Sequence, residues 1–131
     1  MQVFVTKWVS RFVRREGIGA ESLVEAVARA ERGLIDADLG GGLIKQRIAR
    51  QGKGRSGGYR TLIAYRRGDR AVFVYGFAKS ERENIEPEQL KAAQKVALRV
   101  LGLDEKGLAR AEREGEIEEV VYGRKKEEPV N

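Results

Sequence analysis

The chain contains no cysteine and no histidine. Without cysteine there is neither a disulfide framework nor a thiolate metal site, and a reducing, cytoplasmic compartment is the simplest expectation. Without histidine the usual general base and the commonest metal ligand are missing, so any catalysis falls to Lys, Arg, Tyr, Asp or Glu. No apolar run approaches the length of a membrane span. The opening MQVFVTKWVSRFVRR is basic and amphipathic, but it lacks a continuous apolar core and a small-residue cleavage site. It reads as mature structure rather than a targeting peptide. The acidic residues lie mostly in the C-terminal third at helix-surface spacings, with no paired carboxylates near the basic ones. Neither a metal nor another cofactor is expected.

What is present is 131 residues, which fits one domain with a modest core. The net charge of +6 is unevenly spread. Residues 1–42 hold six basic and six acidic side chains, residues 43–82 eleven and two, and residues 83–131 nine and twelve. The whole excess sits in the middle third, and charge so clustered usually faces a polyanion, most often nucleic acid. At its centre is QGKGRSGGYR (51–60), where four glycines and three cations lead straight into the apolar TLIAY. A plain hairpin turn needs one or two glycines. A longer cationic, side-chain-poor segment suits close approach to something anionic. The same stretch is no P-loop, because it precedes a strand and lacks the Walker spacing.

Periodicity gives the element order. QVFV reads as an edge strand. Trp8, Val9, Phe12 and Val13 recur at helical spacing up to Gly17, and Leu23, Val24, Val27 and Ala30 do so up to Gly33. The two helices form a hairpin around GIG. LIDADLGGG reads as a loop, and LIKQRIA, YRTLIAYRR and RAVFVYGFAK as strands, the last two joined at Gly68-Asp69. PEQLKAAQKVALRVLG is a helix with Pro87 in its first turn and Gly102 after its end. A short helix from Asp104, an edge strand in EIEEVVY and an unstructured GRKKEEPVN complete the chain. Consecutive strands with tight connections predict an α+β domain: a small antiparallel sheet, mixed at most, with its helices on one face.

If Gly68-Asp69 closes the hairpin, Arg60 lies opposite Phe77, Leu62 opposite Tyr75 and Ala64 opposite Phe73. One face then gathers Arg60, Phe77 and Lys79 at the end next to the glycine-rich segment, with Lys45 and Arg47 from the neighbouring strand on the same side. Tyr75 is read as a core residue. Arginine on a sheet suits phosphate, and an aromatic among cations suits base stacking.

KGRSGGYRTLIAY followed by VFVYGFAKSEREN resembles the RelE/ParE superfamily of bacterial toxins, and ERGLIDADLGGGLIKQRIARQGKGRSGGYR is typical of its HigB-like branch. The resemblance covers about residues 1–102, which would form a RelE-like toxin domain, leaving 103–131 as a C-terminal extension. It implies the toxin of a type II toxin–antitoxin system, held inactive by a cognate antitoxin, here expected to be a helix-turn-helix protein encoded by an adjacent gene. RelE-type members are endoribonucleases that cut messenger RNA in the ribosomal decoding site. ParE-type members share the fold, target DNA gyrase and lack the catalytic cations. RelE enzymes carry a lysine and an arginine seven and five residues before the Gly-Tyr-Arg arginine. Here these are Lys53, Arg55 and Arg60. Three other family positions differ, with Gln51 in place of a lysine, Ser80 after Lys79 in place of an arginine, and Glu86 in place of a tyrosine. The resemblance thus implies Lys53, Arg55, Arg60 and Lys79 as catalytic residues, with Lys45, Arg47, Arg50, Phe77 and Arg82 binding RNA. The retained Lys53, Arg55 and Arg60 favour a nuclease over a gyrase-directed toxin. The altered Ser80 and Glu86 leave a non-catalytic RNA-binding or decayed toxin as a further alternative.

Overall fold

The computed structural model describes residues 1–49, 58–81 and 84–122. The elements run β1 (Gln2–Thr6), α1 (Lys7–Glu16), α2 (Ala20–Glu31), β2 (Ala37–Gly40), β3 (Leu43–Ile48), β4 (Tyr59–Arg66), β5 (Arg70–Ala78), α3 (Pro87–Leu101), α4 (Glu105–Arg113) and β6 (Ile117–Glu119). The helix boundaries follow local chemistry. The Thr6 hydroxyl accepts from the Val9 N–H at 3.3 Å, and Gly17 ends α1 in the left-handed region at φ 71°. Asp104 caps α4 by accepting from the Gly107 N–H at 2.8 Å.

The six strands form one mixed sheet in the order β2-β3-β4-β5-β1-β6. β1 is not an edge strand, as its position in the sequence suggests. It lies between β5, which it pairs in parallel, and β6, which it pairs antiparallel. The reason is in its composition. Val3, Phe4 and Val5 are all buried, Val3 and Val5 toward one cluster and Phe4 toward the other. A run that is apolar on both sides needs both faces covered, and a strand inside the sheet between two helical layers meets that need. The stretch read as a loop also contains β2, which pairs with β3.

The helices sit on both faces of the sheet, not on one. α1 and α2 pack Val9, Phe12, Leu23, Ala26, Val27 and Ala30 against Val3, Val5, Ile44, Ile63 and Phe73. α3 and α4 pack Ala93, Ala97, Val100, Leu108 and Ala111 against Phe4, Leu43, Leu62, Ala64 and Val72. The strands dictate this, because alternate positions of β4 and β5 are apolar in both directions, and each fully buried side chain contributes about 1.5–3 kcal/mol. The segment beyond residue 102 therefore adds Leu108, Ala111 and Ile117 to the same cluster as Val100, and β6 extends the sheet beside β1. α1 sits close on β5 because position 76 is glycine. A Cβ there would come within 2.7 Å of the Phe12 ring.

The β4–β5 register has two parts. From Tyr59–Ala78 to Leu62–Tyr75 it is the expected one. The connection, however, spans three residues, with Arg66 opposite Arg70, and the extra residue is absorbed by a bulge between Leu62 and Ile63. Past the bulge Ala64 faces Val72, and Phe73 moves to the α1–α2 side with Ile63.

The hairpin turn is tied to α2 through Glu31, which accepts from the Tyr65 hydroxyl and, at 3.0 Å, from the Gly68 N–H. These two bonds hold the Glu31 carboxyl below its ordinary 4.5. Burial first, and the bond to Glu31 second, push the Tyr65 hydroxyl up to about 12. A carboxyl depressed on folding stabilises above its unfolded pKa, and that stability is lost as pH falls through the lowered value. A hydroxyl raised on folding stabilises below pH 10, and that contribution is lost as pH rises through about 12. Glu31→Gln should therefore lower stability at pH 7, and the gap to the parent should close as pH drops below 4.5. Urea midpoints at pH 7 and pH 3 check this; a gap that is the same at both would refute it.

Candidate nucleic-acid interface

The expected cationic face exists at one end of the sheet. Arg47 of β3 lies directly opposite Arg60 of β4, and Arg60 directly opposite Phe77 of β5. One row further in, Lys45, Leu62 and Tyr75 align in the same way. The α3–α4 core reaches this second row, through Leu62 and the edge of Tyr75, but includes neither Arg60 nor Phe77. The Arg47 and Lys79 side chains are exposed and Lys45 and Arg60 half-buried. Arg47 is paired with Asp36, whose carboxylate stands 3.4 Å from its Nε and accepts from the Arg47 N–H at 2.7 Å. Arg60, Lys45 and Lys79 have no ion pair among the described residues. Like charges directly opposite on neighbouring strands destabilise a sheet. The Arg47–Arg60 pair is thus a liability to the fold that an anionic ligand would relieve.

The backbone brings the ends of the glycine-rich stretch to this row. Ile48 pairs with Tyr59, and the Lys79 N–H donates to the Gly58 carbonyl at 2.9 Å. Gly58 takes φ 108°, a conformation that side-chain-bearing residues rarely adopt, where the chain enters β4. Lys79 therefore stands at the mouth of the segment, one residue beyond the end of β5. Lys53, Arg55, Arg50 and Arg82, together with Gln51, lie outside the described residues.

The aromatics are distributed differently from their sequence pattern. Phe77 is only 4% exposed. Tyr75 is half-buried, and its ring lies 6.2 Å from that of Phe77 and 4.6 Å from that of Trp8. Trp8 shares its helical stripe with Val9 and Phe12, which are buried at 1% and 3%, yet it is 42% exposed. Helical spacing alone does not separate these three. What does is that β1's pairing with β5 stops at Val5–Phe73, so the first turn of α1 projects past the strand end.

The family model for the RelE toxin of the RelE/RelB toxin–antitoxin system matches residues 1–120. The chain belongs to the RelE toxin family. No curated protein matches it. As a RelE-family toxin it has a cognate antitoxin as its partner, and among the described residues no helix is long and apolar enough to cross a membrane.

Two of the positions that the resemblance singles out as altered have a visible local setting in this toxin. Glu86 is the N-cap residue of α3; its N–H donates to the Gln89 side chain at 3.4 Å and its carbonyl accepts from the Leu90 N–H at 2.9 Å. Ser80 is exposed in the turn after Lys79, where the Glu81 N–H closes on the Ala78 carbonyl at 3.0 Å. Sequence reasoning also missed the buried polar residue behind the site. Gln46 is fully buried, its amide donating to the Ala26 and Leu34 carbonyls and accepting from the Asp36 N–H. It thereby fixes the strand that carries Lys45 and Arg47.

Proposed function

We propose that this toxin is a ribosome-dependent messenger RNA endonuclease of the cytoplasm, silenced by a helix-turn-helix antitoxin encoded beside it. The observation that carries the reading is Arg60, which has no ion pair among the described residues and is set opposite Arg47 and beside Lys79 at the mouth of the glycine-rich segment. RNA brings its own nucleophile. The 2′-hydroxyl loses its proton, its oxygen attacks the adjacent phosphorus to close a 2′,3′-cyclic phosphate, and the 5′-oxygen leaves with a proton. Cations alone can support this. Arg60 grips two phosphate oxygens and stabilises the dianionic transition state, with Lys79 and Arg55 as further phosphate ligands. Lys53, crowded by positive charge, serves as base or positioning cation. Lys45, Arg47, Arg50 and Arg82 hold the flanking backbone.

Lysine and arginine lack an ordinary pKa near neutrality, and three family positions are altered, so the ribosome is expected to supply part of the geometry. Induced expression alone should arrest growth, and co-expression of the adjacent gene should restore it. Mapped transcript ends should fall within codons of translated messages, while naked RNA is cut poorly. Normal growth with confirmed folded protein would refute a toxin, and equal cutting of naked RNA would refute the ribosome requirement. Arrest without new transcript ends would instead favour a target such as gyrase.

A further inference from the structure

Beyond the cationic row, the same end of the sheet presents an aromatic surface that the phosphate chemistry does not use. From Arg60 the cross-strand neighbour is Phe77, and from Phe77 two ring-to-ring steps of 6.2 and 4.6 Å lead through Tyr75 to Trp8. Trp8 is nearly parallel to both rings it touches, 25° from Tyr75 and 17° from Phe12 at 5.6 Å. It is thus held in one orientation without being enclosed. Packing α1 does not need it exposed in this way, because Val9 and Phe12 already fill the interface with the sheet. An indole left 42% exposed beside cations, with exposed Lys7 and Arg11 on the same helix, is a poor core residue and a good stacking surface. Phe77, the aromatic nearest Arg60 in sequence logic, is too buried to offer a ring face of its own.

We propose that Trp8, backed by Tyr75, is the stacking platform for a base of the single-stranded RNA whose phosphate sits on Arg60, and that it favours purines, whose larger rings cover more of the indole. This rests on the RNA-cleaving reading above. The platform fixes where along the strand the scissile phosphate falls, and so contributes base preference that the arginines cannot supply.

The chain's single tryptophan makes the test direct, since Trp8 is the only indole emitter. The full-length protein, made by cell-free synthesis, is titrated with short 2′-O-methyl oligoadenylate, which resists cleavage, with the matching oligouridylate, and with inorganic polyphosphate. Indole emission reports stacking, and the anisotropy of a labelled oligomer reports binding. Oligoadenylate should quench most of the emission and oligouridylate less, while polyphosphate should displace the labelled RNA without quenching. Trp8→Ala should weaken oligoadenylate binding by roughly 5- to 150-fold with polyphosphate affinity unchanged, and Trp8→Phe should recover most of the loss. Oligoadenylate binding without quenching, equal quenching by polyphosphate, or unchanged affinity in a folded Trp8→Ala variant would each overturn the platform and leave the RNA reading standing. Failure of the parent protein to bind either oligonucleotide at low salt would overturn both.

Discussion

Arg60→Ala should abolish growth arrest and leave the protein as stable as the parent or slightly more so. The side chain sits on an interior strand, its Cα register fixed on both sides by Arg47 and Phe77, so the charge is positioned by backbone that it does not itself hold together. Losing one preorganised charge ligand typically lowers a rate by roughly 10²–10³. The effect on the fold is small, within about 0.5 kcal/mol, because Arg60 has no ion pair to break among the described residues and removing it ends the like-charge opposition to Arg47. Arg60→Lys should fail as well, since an ammonium cannot bridge two phosphate oxygens in a fixed plane. Arg66→Ala is the control. Arg66 lies at the far end of the same strand, bonded to Asp69 and to the Leu101 carbonyl, and its loss should spare activity. Growth arrest, transcript-end mapping and thermal melting of each variant decide the matter. Full toxicity in Arg60→Ala, or loss of toxicity only through unfolding, would sink the assignment.

Gln46→Leu should have the largest effect on stability, a loss of about 2–4 kcal/mol and about 10 °C in melting temperature. Leucine matches the volume and suits the apolar surroundings, so on hydrophobicity alone the change would be neutral. The polar partners decide otherwise. The Gln46 amide bonds the Leu34 carbonyl at 3.1 Å, the Ala26 carbonyl at 2.9 Å and the Asp36 N–H at 2.9 Å. The Ala26 carbonyl lies within α2, but the Leu34 and Asp36 groups belong to the connection between α2 and β2 and would lose their partner. Asp36 would then hold Arg47 less firmly, so binding of the labelled oligomer should weaken with stability. A melting temperature within 2–3 °C of the parent would show that water or a local shift replaces the amide.

Much of the fold was legible in the chain. The 3.6-residue stripes of α1, α2 and α3, the helix start at Asp104, the stops at Gly17 and Gly102, and the strands around Gly68-Asp69 are local signals, and local chemistry decided them. The clustering of positive charge at 43–82 and the Gly-Tyr-Arg stretch pointed to a polyanion and to the toxin family that the match over 1–120 shows. The register at Arg60–Phe77 was also correct, because the three-residue turn and the bulge at Leu62–Ile63 cancel at that end of the hairpin.

The rest depended on non-local pairing. Nothing within QVFVT states that it will lie parallel to a strand almost seventy residues away, or that β6 will close over its other side. Once β1 is interior, helices must cover both faces, and its early end at Thr6 leaves Trp8 beside Tyr75. Gln46 sits between Lys45 and Arg47, which alternation turns to the other face of the strand, and its burial follows only when α2 and the following connection bring three backbone groups to its amide. The sequence by itself determined the elements other than β2, the family and the charge at the site. The tertiary structure decided which aromatic is exposed, which polar side chain is buried and which arginines oppose each other, because those depend on neighbours distant in the chain.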